Sequence, residues 1–151
     1  MEITSKLSRN KSRKGIPSEH ALFLDERVLS KIGRNEPLSL GDMVRMLFHS
    51  EQQQEYYRIA SKLLVLLLEK RTLRSNHELK EFIEHERIFK EVLYSRIIYK
   101  LEQFGIIEKE RKERVRGKPF SIKLSNKFSE MMRNIGEQWY MQYALSKSGE
   151  K

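Results

Sequence analysis

The chain contains no cysteine. Disulfide frameworks, thiol nucleophiles and thiolate metal sites are therefore excluded by composition. It also lacks a long apolar run. The longest, Leu63 to Leu68, falls far short of the ~20 residues that cross a bilayer. The start of the chain is basic, but no apolar segment follows it, so a secretory signal is not expected. Three catalytic signatures are missing as well: a glycine-rich phosphate loop, the pentapeptide around an activated serine, and HExxH. His77, Glu81 and His85 stand at i, i+4 and i+8, but with no further convincing ligand they read as a solvated helix face rather than a zinc site. The expectation is a soluble cytoplasmic protein that is not an enzyme, with no cofactor, no metal and no membrane contact.

What is present is charge, unevenly placed. The net charge is +9 over 151 residues. Residues 1–18 hold five Lys/Arg against one Glu, and residues 109–127 hold eight against two, so these two stretches carry the whole positive excess. A surface built only for solubility interleaves the signs. Two concentrated patches look like an electrostatic footprint for a polyanion. The apolar fraction of 38% still supplies one folded core.

Residues 1–17 are polar and basic, with Arg9, Lys11, Arg13 and Lys14 among them. They read as a disordered arm, either a polyanion-contacting tail or a solubilising end. Ser18 starts a helix to about Ile32, with Ala21, Leu24 or Asp25, Val28 and Ile32 on one stripe, ended by Gly33 and Pro37. Ser39 and Asp42 have capping-box spacing before a short helix that turns Met43, Met46 and Leu47 to a core. Ser50 and Gln53 repeat that signature before a helix from about Glu51 to Arg71, apolar over much of its circumference. Thr72-Leu73-Arg74 is a short extended link. Ser75 or Asn76 caps a helix from about His77 to Glu84, with Leu79, Phe82 and Ile83 inward.

A turn over His85 to Ile88 then leads to a helix from Phe89 to Phe104. Tyr94, Ile97, Ile98, Leu101 and Phe104 recur on it at helical spacing, and Gly105 stops it. Ile106 to Arg111 and Phe120 to Leu124 flank a basic turn at Arg116-Gly117-Lys118-Pro119. Phe120, Ile122 and Leu124 alternate inward, Ser121 and Lys123 outward. Asn126 caps a last helix to about Lys147, rich in large apolar residues. The fold class is mainly α with a small antiparallel β-hairpin (α+β).

The order of helix, extended link, helix, tight turn, helix and hairpin resembles the winged helix-turn-helix superfamily of DNA-binding proteins. The match rests on Leu64 to Leu68, on Glu78-Leu79 with Phe82-Ile83, on Ser95 to Ile107, and on Arg116 to Ser125. The Leu101-Glu102-x-x-Gly105-Ile106-Ile107 segment followed by a basic hairpin is its most specific part. The flanking helices are similar to those of bacterial and archaeal MarR-, ArsR- and PadR-type transcription regulators, which dimerise through them. At the helix-turn-helix turn the superfamily usually carries a small residue or Gly, where this chain has Glu86-Arg87-Ile88. The implied plan is an arm at 1–17, a helical extension at 18–50, the winged unit at 51–125, a dimerisation helix at 126–147 and a tail at 148–151.

The resemblance implies that the helix at 89–104 lies in a DNA major groove. Ser95, Arg96, Tyr99 and Lys100 then fall on or beside its outer side, with Val92 one turn earlier. Arg96 is the best base reader, because its planar fork bonds two guanine acceptors at once. Ser95 and Tyr99 suit hydrogen bonds to phosphates or bases, and Val92 suits a thymine methyl. In the wing, Arg111, Lys112, Arg114, Arg116 and Lys118 surround Gly117 and suit phosphates or a minor groove. On the last helix Met131, Ile135, Trp139 and Tyr143 either pack on their own core or pair with a second copy. A homodimer is favoured, since one recognition helix reads few bases. The expectation is a sequence-specific double-stranded-DNA-binding regulator, associated with the nucleoid. Nothing marks a pocket for a small-molecule effector. An architectural or replication-associated factor with little sequence preference, and a winged-helix protein-interaction module, are the alternatives.

Overall fold

A computed structural model describes residues 20–49, 53–112 and 117–149. The expected arm, with Arg9, Lys11, Arg13 and Lys14, lies outside the described residues, as do Ser18, Ser50, Arg114 and Arg116. The chain divides into two compact units, residues 1–61 and 62–151, with the boundary inside one helix. Among the described residues there are six helices and one three-stranded antiparallel sheet, so the chain is mainly helical α+β. No helix among them is long and apolar enough to cross a membrane.

The first unit holds α1 (Glu26–Gly33), α2 (Leu40–Leu47) and the start of α3 (Gln54–Lys70). Helix α1 is capped at Asp25 rather than at Ser18, where the spacing predicts the cap. Asp25 sets the start, because its carboxylate accepts the Val28 N–H at 2.9 Å. Phe23 N–H donates to Met46 C=O at 2.7 Å, which ties the preceding segment to the end of α2 and away from helix. The Ser39–Asp42 capping box forms as its spacing predicts, with both reciprocal bonds present.

Asp42 does more than cap. It is 1% exposed and also accepts from Lys31 Nζ at 2.7 Å and Arg45 Nη1 at 3.0 Å. The Lys31 ammonium and the Ser39 N–H hold its carboxyl well below the usual carboxylate range. One buried anion thus joins α1 to α2. Val28, Val44, Met46, Leu47 and Phe48 are buried around it in sequence, and Met43 is only half-buried.

In the second unit the latter part of α3 buries Leu63, Leu64 and Leu67, while Val65 and Leu68 are exposed. Its buried stripe is narrower than its composition suggests. Arg71 takes a left-handed φ of 71° and turns the chain into β1 (Thr72–Arg74). The extended link is therefore a strand, and it pairs with β3 (Phe120–Leu124). Ser75 prolongs that pairing: its N–H donates to Phe120 C=O and its Oγ accepts the Phe120 N–H. Neither Ser75 nor Asn76 caps α4 (Glu78–Glu86); His77 is the N-cap residue and offers no side-chain bond. Glu78 instead reaches back to the Arg74 N–H at 2.9 Å and to its guanidinium, which holds the Glu78 carboxyl down at about 2.

Arg87, in the left-handed region at φ 55°, makes the turn where a glycine is usual. Helix α5 then runs over residues 90–103, with a π-helical stretch at Leu93–Ile98 between two α-helical ends. Strand β2 (Ile107–Arg111) pairs with β3 in the order β1-β3-β2. The core of this unit includes Leu73, Leu79, Leu93, Ile97, Ile98, Leu101, Ile107 and Ile122, each at most 1% exposed.

Gly105 joins α5 to the last helix, α6 (Lys127–Ser148). Its φ is +72°, and its carbonyl accepts the Phe128 N–H at 3.0 Å. A Cβ here would stand 2.7 Å from both Lys127 Cβ and Phe128 N, a contact that backbone must yield to.

Two outcomes follow from these contacts. Gly105→Ala is expected to destabilise the protein by more than ~1 kcal/mol in denaturant melts, from the positive φ and the clash together. Asp42→Asn is expected to lower the thermal midpoint near neutral pH. A depressed carboxylate stabilises fully above its unfolded pKa of about 3.9, and that stabilisation fades as pH falls toward the lower folded value. Melts recorded down an acid series therefore show the gap between wild type and variant closing below about pH 4.

Candidate nucleic-acid interface

Helix α5 presents Ser95, Arg96 and Tyr99 to solvent, with Val92 half-buried beside them. The Ser95 hydroxyl is engaged, donating to the Glu91 C=O one turn back. Lys100 is not on this outer side. It is 1% exposed, with its ammonium 5.9 Å from the Phe104 ring centre. It follows buried Ile97 by three residues and precedes half-buried Phe104 by four, so the core closes on its stem. The π-helical stretch also winds less per residue than an α-helix, which displaces a face count made at 3.6 residues per turn.

The hairpin sorts its side chains by strand alternation. Register pairs Lys109 with Ile122 and Arg111 with Phe120, so these four share one face with Leu73. Lys123 lies on the opposite face, bonded to Glu108 at 3.3 Å and Glu110 at 2.5 Å. Those carboxylates, Glu110 first, raise its pKa. Lys123 is thus neutralised by the hairpin itself. Leu124, expected inward, is 40% exposed, because β1 pairs with β3 only from Lys123 to Ser121 and leaves the strand end uncovered.

Arg111, Lys112, Gly117 and Lys118 are exposed at the open end of the hairpin. Gly117 has φ +90°, a conformation for which glycine is the ready residue. Arg111 is also positioned: its guanidinium lies 5.2 Å from the Phe120 ring centre, and Lys109 Nζ lies 4.6 Å from the same ring. Phe120 meets Tyr94 of α5 edge-on at 5.3 Å, and Lys90 Nζ lies 5.5 Å from the Tyr94 ring. The two rings thus join the front half of α5 to the hairpin and hold three cations around the junction. Burial raises the Tyr94 hydroxyl pKa. A cleft of about 650 Å³ opens here, lined by Lys80, Lys90, Tyr94, Arg111, Lys118 and Phe120 among others.

The sequence reading missed Lys80, Lys90 and Lys109 as members of this surface. It placed Tyr94 and Phe120 simply inward, whereas both are half-buried. For Lys109 the signal was present, since it alternates with Ile107 and Arg111 along β2.

Helix α6 has no buried residue. Phe128, Met131 and Met132 are half-buried; from Arg133 onward every described residue is exposed. Ile135, Trp139 and Tyr143 are open to solvent, Trp139 at 71%. Of the two alternatives, packing on its own core is confined to the first two turns of this helix.

His77 Nδ1 lies 3.4 Å from Glu81, while His85 lies beside Glu86. The described residues contain no group of three or more His, Asp and Glu placed to hold a metal. No protein-family model, curated protein or solved structure matches the chain.

Proposed function

We propose that this chain is a winged helix-turn-helix protein that binds double-stranded DNA in a sequence-specific way and acts as a dimeric transcription regulator in the nucleoid. The observation that carries the reading is the pairing of exposed cations on α5 with those on the hairpin, joined through Tyr94 and Phe120. The element order from α3 to β3, with β1 on the outer side of β3, agrees with a winged helix. In this reading α5 enters a major groove and Arg96 meets a guanine edge. Lys112 and Lys118, with Arg111 held against Phe120, take flanking phosphates or the minor groove. The Glu108 and Glu110 carboxylates are occupied by Lys123 on the other face, where they repel the backbone least.

The dimer reading rests on α6. A 22-residue helix carrying Ile135, Trp139, Tyr140, Met141, Tyr143 and Leu145, each about half exposed or more, leaves an apolar surface that a second copy covers by two-fold pairing.

Selection from a random duplex pool is expected to return one pseudo-palindromic site, with affinity falling by roughly 0.9 log unit per log unit of salt for each neutralised phosphate. Arg96→Ala is expected to relax the preference at one base pair by about 5- to 100-fold, while Lys112→Ala weakens all duplexes alike and lowers the salt slope by about one. Equal affinity for every duplex would replace the regulator by an architectural factor, and no duplex binding would overturn the DNA reading altogether. Separately, Trp139→Glu is expected to turn a dimer into a monomer in sedimentation equilibrium. A wild type that sediments as a monomer at every concentration overturns the paired α6.

A further inference from the structure

The residue at the front of α5 breaks two local rules at once. Phe89 is its N-cap, with φ −74° and ψ 135°, and makes no side-chain capping bond. Asp25 and Ser39 cap their helices in the ordinary way, whereas His77 and Asn126, like Phe89, make no side-chain capping bond, so it is the open apolar ring that sets Phe89 apart. Phenylalanine has no acceptor to offer the first-turn N–H groups. Its ring is also 77% exposed, the most open large apolar side chain among the described residues. Neither feature stabilises the free protein: the first-turn N–H groups gain no side-chain acceptor, and the ring buries little area on folding. Departures of this kind from local consistency gather at functional positions.

The surroundings define what the ring can meet. Arg87 and Lys90, on either side, are both exposed. Lys90 is drawn back over the Tyr94 ring, which leaves Phe89 at the leading edge of the helix. On a DNA-reading helix the first residues are those that reach base edges. The major-groove edge of a base pair displays one apolar group, the C5-methyl of thymine.

We infer that Phe89 reads thymine, by packing its ring on the C5-methyl group in the major groove; this rests on the DNA-binding role proposed above. The ring then leaves water on binding, and apolar area that folding does not bury becomes contact area in the complex. The same contact rejects a pyrimidine without the methyl group. It adds an apolar selector to the polar one at Arg96, one to two turns further along α5.

The test uses the duplex selected by the full-length wild type. Each thymine is replaced in turn by uracil, which removes only the methyl group. Wild type is expected to lose roughly fourfold in affinity at one thymine per half-site, the worth of one buried methyl. Phe89→Ala is expected to bind the thymine and uracil duplexes equally, with its salt slope unchanged. Phe89→Leu, still apolar, is expected to keep part of the preference, and circular dichroism should show both variants folded, since the side chain is exposed.

Two outcomes overturn the assignment: a wild type insensitive to every uracil, or a Phe89→Ala variant that keeps the full methyl preference, whether its affinity is unchanged or falls by the same factor on both duplexes. An equal fall on both duplexes would make Phe89 a general wedge or packing residue. These results leave the DNA-binding role standing. If the wild type binds no duplex, that role falls first and this assignment with it.

Discussion

Strand β3 is bonded on both sides, and the second unit depends on that. Leu73, Ile122 and Lys109 stand in one row across β1, β3 and β2. Ile122, fully buried, fixes which face of the hairpin is inner. A slip of one residue would exchange the faces. Lys123 would then enter the core and leave Glu108 and Glu110, while Phe120 would swing off Tyr94. The cations at the hairpin's open end would no longer share a surface with α5. Strand β1, although only three residues long, therefore stabilises the register that the charged surface requires.

The sheet also separates its charges by face. Glu108 and Glu110 neutralise Lys123 on one side, while Lys109 and Arg111 lie against an aromatic ring on the other. A cation stacked on a ring keeps its charge outward without a carboxylate to cancel it. It also surrenders less side-chain freedom when an anion arrives, because its stem is already placed. Aromatic rings and carboxylates thus divide the lysines and arginines into those available to a polyanion and those consumed by the fold.

Much of this architecture was legible in the sequence. The capping box at Ser39 and Asp42, the stop at Gly105, the hairpin and the apolar spacing of α5 are local patterns, and they formed as local chemistry dictates. What escaped was set by distant partners. Ser75 looked like a helix cap and instead bonds Phe120 of β3 from the turn after β1, because Phe120 lies across from it. The expected helix from Ser18 lost its first turns to Asp25 and to the Phe23–Met46 bond. Lys100 looked outward by counting at 3.6 residues per turn, and the core enclosed it. At the candidate interface, the exposure of Arg96 and Arg111 could be read from helix spacing and strand alternation alone. Lys80 and Lys90 needed the cleft itself, and Tyr94 needed the ring opposite it, which no single stretch of sequence contains.

The π-helical stretch at Leu93–Ile98 has a consequence for how such a chain can change over generations. A turn of this kind holds one residue more than an α-helix uses to cover the same ground. Leu93 and Leu101, both fully buried, are eight residues apart here. In an unbroken α-helix, a separation of seven brings two residues to nearly the same side. Loss of one residue between them would leave both ends of the helix anchored as they are. The difference would fall on the outer arc, where Ser95 and Arg96 stand. Length, as well as substitution, is thus a variable by which this helix can alter what it displays while the protein beneath it stays the same.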